Sequence, residues 1–307
     1  MVATRYARLR RARDRSYPHG RDPLRPATPR SRSLLPPWSR PATPGYAALA
    51  IAPTLSGMGE QTQLVQITDR VHLAQGPAVN WTLVADHTGV MLIDAGYPGD
   101  REEVLASLRR LGYGPADVRA ILLTHAHIDH LGTAIWFARE HRTPVYCHAD
   151  EVGHVKREYL EQVSIPALAL RLWRPRWALW TLHVVRSGGL NRTGIPTALP
   201  LTDDVAAGLP GRPRAVFSPG HTNGHCSYLV DGVLVSGDAL ITGHPLIVHD
   251  GPQLLPAIFS YSQQQCIRTL SALAQVESEI LAPGHGPLWR GPIREATDTA
   301  LRKAGAI

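Results

Sequence analysis

Three histidines and an aspartate fall within six residues at His125-Ala126-His127-Ile128-Asp129-His130. Imidazole nitrogen and carboxylate oxygen are ligands of borderline divalent ions such as Zn²⁺. Four ligands this close in sequence do not wrap one tetrahedral ion. They suit two adjacent ions, with His125 and His127 on one and Asp129 and His130 on the other. A histidine-rich surface loop would have the same composition. Against that reading, three further residues arrive in the same setting: His221 in Pro219-Gly220-His221-Thr222, Asp238 in Ser236-Gly237-Asp238, and His285 in Pro283-Gly284-His285-Gly286. Each time an apolar run ends, a glycine or another turn residue follows, and a ligand type is presented. Four such events in one chain converge naturally on one sheet edge.

The elements that must position these residues follow from periodicity. Ala120-Ile121-Leu122-Leu123 reads as the buried strand that delivers the histidines. Upstream, Val71 to Ala74, Asn80 to Ala85 and Val90 to Ile93 read as consecutive strands, with His87-Thr88-Gly89 turning between the last two. Asp94-Ala95-Gly96 then leaves a carboxylate at a strand end. Val104, Leu105, Leu108 and Leu111 have helical spacing and predict a helix from Asp100 to Leu111, with Asp100 as its cap. A second helix is expected from Gly132 to Glu140, behind the histidine loop, and a strand from Pro144 to Cys147. Ala215 to Ser218 is a short strand. Tyr228 to Val230 and Val233 to Val235 form a hairpin about Asp231-Gly232. Residues 264–275 read as a helix and Ile280-Leu281 as the last short strand. Alternating strands and helices argue for α/β layers.

Residues 155–200 break the rhythm. Leu168, Leu170, Leu172, Trp173, Trp177, Leu179, Trp180 and Leu182 crowd a segment interrupted by Pro175 and by Arg171, Arg174 and Arg176. Three readings fit: a core helix pair, an apolar lid beside the metal cleft, or a membrane-surface helix. A lid would recognise a greasy substrate, with Trp173, Trp177 and Trp180 as candidate binding residues, or grip a second subunit in a homodimer.

Composition narrows the classes. The chain has 307 residues and a net charge of +7. Residues 1–57 hold eleven arginines and two acids, a net +9; the remaining 250 residues carry 21 basic and 23 acidic side chains, a net −2. The high isoelectric point belongs to the first segment, and the body is not expected to bind nucleic acid. Residues 1–57, rich in Arg and Pro without hydrophobic period, are expected to form a disordered tail, leaving 58–307 as one domain. No run of about 18 apolar residues exists, so no membrane span is expected. Cys147, Cys226 and Cys266 show no paired spacing, which suggests a reducing compartment. With no convincing signal peptide, a cytoplasmic location follows. Cys226, near the site, is read as a packed thiol.

The His-x-His-x-Asp-His loop, together with His221, Asp238 and His285 in their contexts, resembles the metallo-β-lactamase-fold hydrolases over residues 65 to 290. The resemblance implies a four-layer αβ/βα sandwich with a two-metal cleft at one edge. It places His125, His127 and His221 on the first metal and Asp129, His130 and His285 on the second, with Asp238 as the bridge. Asp94 would support the ligands by hydrogen bonding, for imidazoles need partners that fix their tautomer. His225, four residues after His221, is expected to be structural or supporting. His72, His87, His141, His148, His154, His183, His244 and His249 lack the matching context.

Two such ions, roughly 3.5–4 Å apart, hold a bridging hydroxide and lower the pKa of its parent water towards ~7. The expected reaction is attack of that hydroxide on a thioester, ester or lactone carbonyl, with Asp129 steering the nucleophile or passing a proton. Zinc is the expected metal, with manganese or iron as alternatives. Ser236-Gly237-Asp238-Ala239-Leu240 and Pro283-Gly284-His285-Gly286-Pro287 are most like the glyoxalase II-like branch. That branch carries a glutathione-binding helical region for which few residues remain. Similar lactonases place a tyrosine where this chain has Ile241. A mononuclear iron sulfur dioxygenase, a phosphodiesterase or nuclease, and a non-catalytic binding protein are the alternatives on the same scaffold.

Overall fold

The computed structural model describes residues 62–307; the expectation for residues 1–57 lies outside that range. In chain order the elements are β1 (Gln63–Gln66), β2 (Val71–Gln75), β3 (Asn80–Asp86), β4 (Gly89–Ile93), α1 (Arg101–Arg110), β5 (Val118–Leu122), α2 (Ile128–Trp136), β6 (Val145–Cys147), α3 (Val152–Lys156), α4 (Ile165–Ala169), α5 (Pro175–Arg186), β7 (Leu199–Pro200), α6 (Asp203–Ala207), β8 (Arg214–Phe217), β9 (Cys226–Val230), β10 (Val233–Gly237), α7 (Gln263–Leu273), β11 (Ile280–Pro283), β12 (Trp289–Arg290) and α8 (Ile293–Lys303).

Strand alternation sorts the core into three layers. On β4, Val90 and Leu92 pack with Val104 and Leu108 of α1 and Leu131 of α2. Met91 and Ile93 turn the other way and meet Tyr228 and Val230 of β9 and Val233 and Val235 of β10. On the far side, Leu234 and Leu281 pack with Leu270 and Leu273 of α7 and Ile293, Ala296 and Ala300 of α8. The order is helices, sheet, sheet, helices, the αβ/βα sandwich expected from the sequence. One sheet runs β1-β2-β3-β4-β5-β6-β7 and the other β12-β11-β10-β9-β8.

The first sheet changes from antiparallel to parallel at β4, and β10 pairs β11 in parallel in the second. Asp94, the histidine loop, Asp238 and His285 follow β4, β5, β10 and β11 respectively. Ligands in such sheets gather outside the carboxyl ends of parallel strands, and here four of those ends lie together.

Three expectations are corrected. The helix expected over residues 132–140 begins at Ile128, so Asp129 and His130 stand in its first turn, and it ends in a π turn to His141. Asp100 does not cap α1 with its side chain; its carboxylate accepts from the Tyr97 N–H at 2.9 Å. The chain also continues past the last expected strand into β12 and α8. The hairpin is as expected, with Asp231 and Gly232 at φ of 50° and 75°, the left-handed pair that such a turn requires.

Candidate metal centre

After Leu122 the chain leaves β5 and is held in place by backbone and side-chain bonds. The Asp94 carboxylate accepts from the Thr124 N–H and the Thr124 hydroxyl, both at 2.8 Å. Since the Thr124 hydroxyl proton goes to Asp94, its oxygen accepts from Nδ1 of His125, 3.0 Å away. His125 therefore turns a bare Nε2 lone pair into the cleft. The same reasoning fixes three other rings. Nε2 of His127 faces the carbonyl oxygen of Glu161, an acceptor only, which leaves Nδ1 bare. Nδ1 of His130 donates to Asp94 at 2.8 Å and Nδ1 of His285 to the Ala78 carbonyl at 2.7 Å, each leaving Nε2 bare.

These four nitrogens face one small space, which the His221 ring also enters; its Nδ1 has no partner to fix its tautomer. Nε2 of His221 lies 2.8 Å from Nδ1 of His127 and 3.2 Å from Nε2 of His125. Oδ2 of Asp129 is 3.8 Å from Nε2 of His130 and 3.5 Å from Nε2 of His285. Asp238 lies between the groups: Oδ1 is 3.5 Å from His130, and Oδ2 is 3.3, 3.4 and 3.9 Å from His285, His221 and His125. Within this buried cluster, Nε2 of His130 and Oδ1 of Asp238 have no hydrogen-bond partner. Imidazole nitrogens and two carboxylates aimed into one small buried space are a donor set that fits divalent cations. The seven sequence-predicted ligands are thus brought together, and three overlapping triads among them lie close enough to hold an ion: His125, His127 and His221; His125, His130 and Asp238; Asp129, His130 and His285.

Electrostatics agree. Burial, reinforced by neighbouring imidazoles, holds His125 and His221 well below the usual histidine range, and His127 is pushed down to about 4, chiefly by burial. Burial opposes a proton on His130 as well, but Asp238, Asp94 and Asp129 outweigh it and raise its pKa well above the usual value. His285 is raised for the same reason, mainly by Asp238. The carboxylates thus draw positive charge to this side of the cluster.

The cradle has no spare room. Gly237 sits at φ of 51°, and a Cβ there would lie 2.6 Å from Thr124 Oγ1 and 2.8 Å from His225 Nε2. A Cβ on Gly284 would stand 2.3 Å from Asp238 Oδ1. His225 does not face the cleft. Its Nε2 accepts from the Asp238 N–H at 3.1 Å and its Nδ1 donates to Ser218 at 2.9 Å, so it orients Asp238. Asp94 likewise orients both His130 and, through Thr124, His125.

Glu151 is a residue that sequence reasoning missed. It is fully buried. It accepts from the Ala126 N–H, the Thr222 hydroxyl, the Gly224 N–H and Nδ1 of His154. It therefore ties the first histidine loop to the His221 loop. His244 is another. It accepts from the Leu246 N–H through Nδ1, so its proton sits on Nε2, beside the His285 ring and on the cleft wall. Burial holds its pKa near 3, so it is neutral. The cleft encloses about 990 Å³, including space open to solvent, and Ile165, Leu168, Trp180, Val184, Leu255 and Phe259 make its wall mainly apolar. Of the three tryptophans named from the sequence, Trp180 alone lines it. Trp177 stacks on Phe259 at 5.9 Å, and Trp173 is 76% exposed, away from the cleft. Burial raises the Cys226 thiol to about 12, as a packed thiol requires.

The chain belongs to the metallo-beta-lactamase superfamily, whose family description matches residues 74–285. It is similar to the probable metallo-hydrolase YflN of Bacillus subtilis, 30% identical over 208 residues, or 64% of this chain and 75% of that protein. A hydroxyacylglutathione hydrolase of Alkalilimnicola ehrlichii is 34% identical over 146 residues, 48% of this chain and 41% of that protein. Among solved structures, the Rm3 metallo-beta-lactamase superposes with a TM-score of 0.57 at 16% identity, covering 81% of this chain and 94% of its own, a likeness of fold.

Proposed function

We propose that this chain is a dinuclear metal-dependent hydrolase of small carboxylic thioesters, esters or lactones. The observation that carries the reading is the tautomer set: four histidines have their far nitrogens occupied, so that bare nitrogens meet two carboxylates around one small space. His125, His127 and His221 would hold one ion, Asp129, His130 and His285 the other, and Asp238 would bridge. Zinc suits this nitrogen and oxygen donor set. A bound ion pair supplies a hydroxide nucleophile near neutral pH and an electrophile for the carbonyl oxygen.

The chain's own residues do the rest. Asp129, whose carboxylate is partly open to the cleft, is placed to take a proton from the nucleophile and return it to the leaving group. Neutral His244, with its proton on Nε2, supplies a hydrogen-bond donor for a substrate oxygen. The Trp180, Leu168 and Phe259 wall excludes water and accepts an apolar acyl part.

The test is acid release in a pH-stat with metal-loaded protein and an Asp129→Ala control. The panel contains thioesters of glutathione and coenzyme A, short- and long-chain lactones, a simple ester and a β-lactam. Turnover that the control lacks supports the reading and identifies the bond. Silence across the panel with two metals bound overturns it, and about one iron per chain would favour an oxygenase.

A further inference from the structure

Helix α5 is apolar on two faces. Trp177, Trp180, Thr181 and Val184 recur at helical spacing on the inner one: Trp180, Thr181 and Val184 line the cleft, and Trp177 stacks on Phe259. Leu179, Leu182 and Arg186 recur on the opposite face and are exposed. Leu170, Leu172 and Trp173, in the turn between α4 and α5, add to that outer surface; Leu170 is 75% and Trp173 76% exposed. Ile165 and Leu190, also exposed, carry the apolar surface to the cleft mouth, which both of them line. An apolar helix face is normally covered, yet nothing among the described residues covers this outer one.

Charge says what kind of partner fits. Residues 162–202 hold five arginines and no acidic side chain. None of the five is ion-paired among the described residues, but Arg176 donates to the Pro245 and Ile247 carbonyls and Arg171 to that of Ala167, which leaves Arg174, Arg186 and Arg192 for a partner. Arg174 stacks over Trp173 at 5.0 Å, and Arg186 and Arg192 are exposed. A second copy related by a two-fold axis would set arginine against arginine with no carboxylate between them. An anionic lipid surface satisfies both halves of the pattern. Leucine and tryptophan enter the acyl boundary, where Trp is favoured, while guanidinium groups meet lipid phosphates.

We propose that the α4–α5 segment seats this protein on an anionic bilayer with the cleft mouth against the lipid, so that an acyl substrate partitioned in the bilayer enters between Ile165 and Leu190. The seating rests on the surface alone; the substrate's route rests on the hydrolase reading.

The test is flotation of the full-length, metal-loaded chain with vesicles of phosphatidylcholine, with and without phosphatidylglycerol. Binding is expected to the mixed vesicles and to weaken with salt. The double variant Leu179→Ser, Leu182→Ser should bind more than about tenfold more weakly, with unchanged melting and unchanged turnover of a soluble short-chain ester. That variant keeps every arginine of residues 1–57. If it floats like the parent, attachment belongs to that segment and the proposal falls. It falls equally if the parent does not float, or if light scattering shows a dimer that the double variant dissolves. Should the double variant fail to fold, the conservative Trp173→Phe decides: quenching by lipids brominated in the acyl chain should drop in it, and undiminished quenching overturns the proposal. If neither parent nor variant turns over any ester while flotation behaves as expected, the hydrolase reading alone fails.

Discussion

At the scale of single residues, what distinguishes this site is where the protons are. In His125, His127, His130 and His285 the nitrogen away from the cleft has a partner fixed by chemistry, and Asp94 governs two of these rings. Asp94→Asn can neither accept two hydrogen bonds so well nor hold the proton on His130 Nδ1. Metal affinity at the Asp129, His130, His285 group should fall about 10–100-fold, as read by titration against a competing chelator. Acidity should separate the two groups. Metal ligation needs bare nitrogens, whereas free imidazoles take protons below about pH 6.5. In the metal-free protein His130 and His285 are raised above that value and His125, His127 and His221 are lowered. Protons therefore compete better at the second group. As pH falls, that ion should therefore leave first, already above the usual histidine range, and metal content after dialysis across a pH series should show two steps. A single step losing both ions together would contradict this difference in acidity between the groups.

Elements show how much the sequence could reveal. The seven candidate ligands were legible because four strand ends present them: β5 the histidine loop, and β8, β10 and β11 one residue each. The start of α2 was not, because His127 occupies its cap position without any capping side-chain bond, and the usual Ser, Thr, Asp or Asn signal is missing. The tryptophans were ambiguous because α5 is apolar on both faces, so periodicity alone cannot say which face is inward; packing put Trp180 in the cleft and Trp173 outside. Glu151 was invisible for a different reason: its partners are 25 and 71 positions away at Ala126 and Thr222. It joins three loops with no local signature. Glu151→Ala should cost about 3–5 kcal/mol, as removal of one member of a buried charged network does, measured by denaturant unfolding. Its hydrogen bonds hold its pKa below the usual value despite burial, so this stabilisation is present above the unfolded pKa and lost as pH falls through the folded one.

Across the whole molecule, the candidate ligands come from both sheets: His125, His127, Asp129 and His130 follow β5 of the first, while His221, Asp238 and His285 belong to the second. Bound ions would cross-link the two halves of the sandwich. Chelation should therefore lower the melting temperature of the whole body. A ligand at about 100–1,000 times its Kd contributes ~3–4 kcal/mol, and in a domain of this size each kcal/mol moves the midpoint by about 2–4 °C. A chelated sample melting where the metal-loaded one does would show that the ions do not span the sheets. The apolar layers close within residues 62–307, so removing residues 1–57 should leave that midpoint in place.

The spread of ligands along the chain also has a timetable. Four of them emerge from the ribosome together, but His285 follows His130 by 155 positions. At 5–20 residues per second that is a wait of roughly 8–30 s. Until it ends, a nascent chain displays a histidine cluster whose second sheet still lacks β11 and His285. Tight loading through this set would come only after Gly284 has passed beside Asp238, so an ion held there would be acquired as an act of completion and would mark a chain whose last strands have docked.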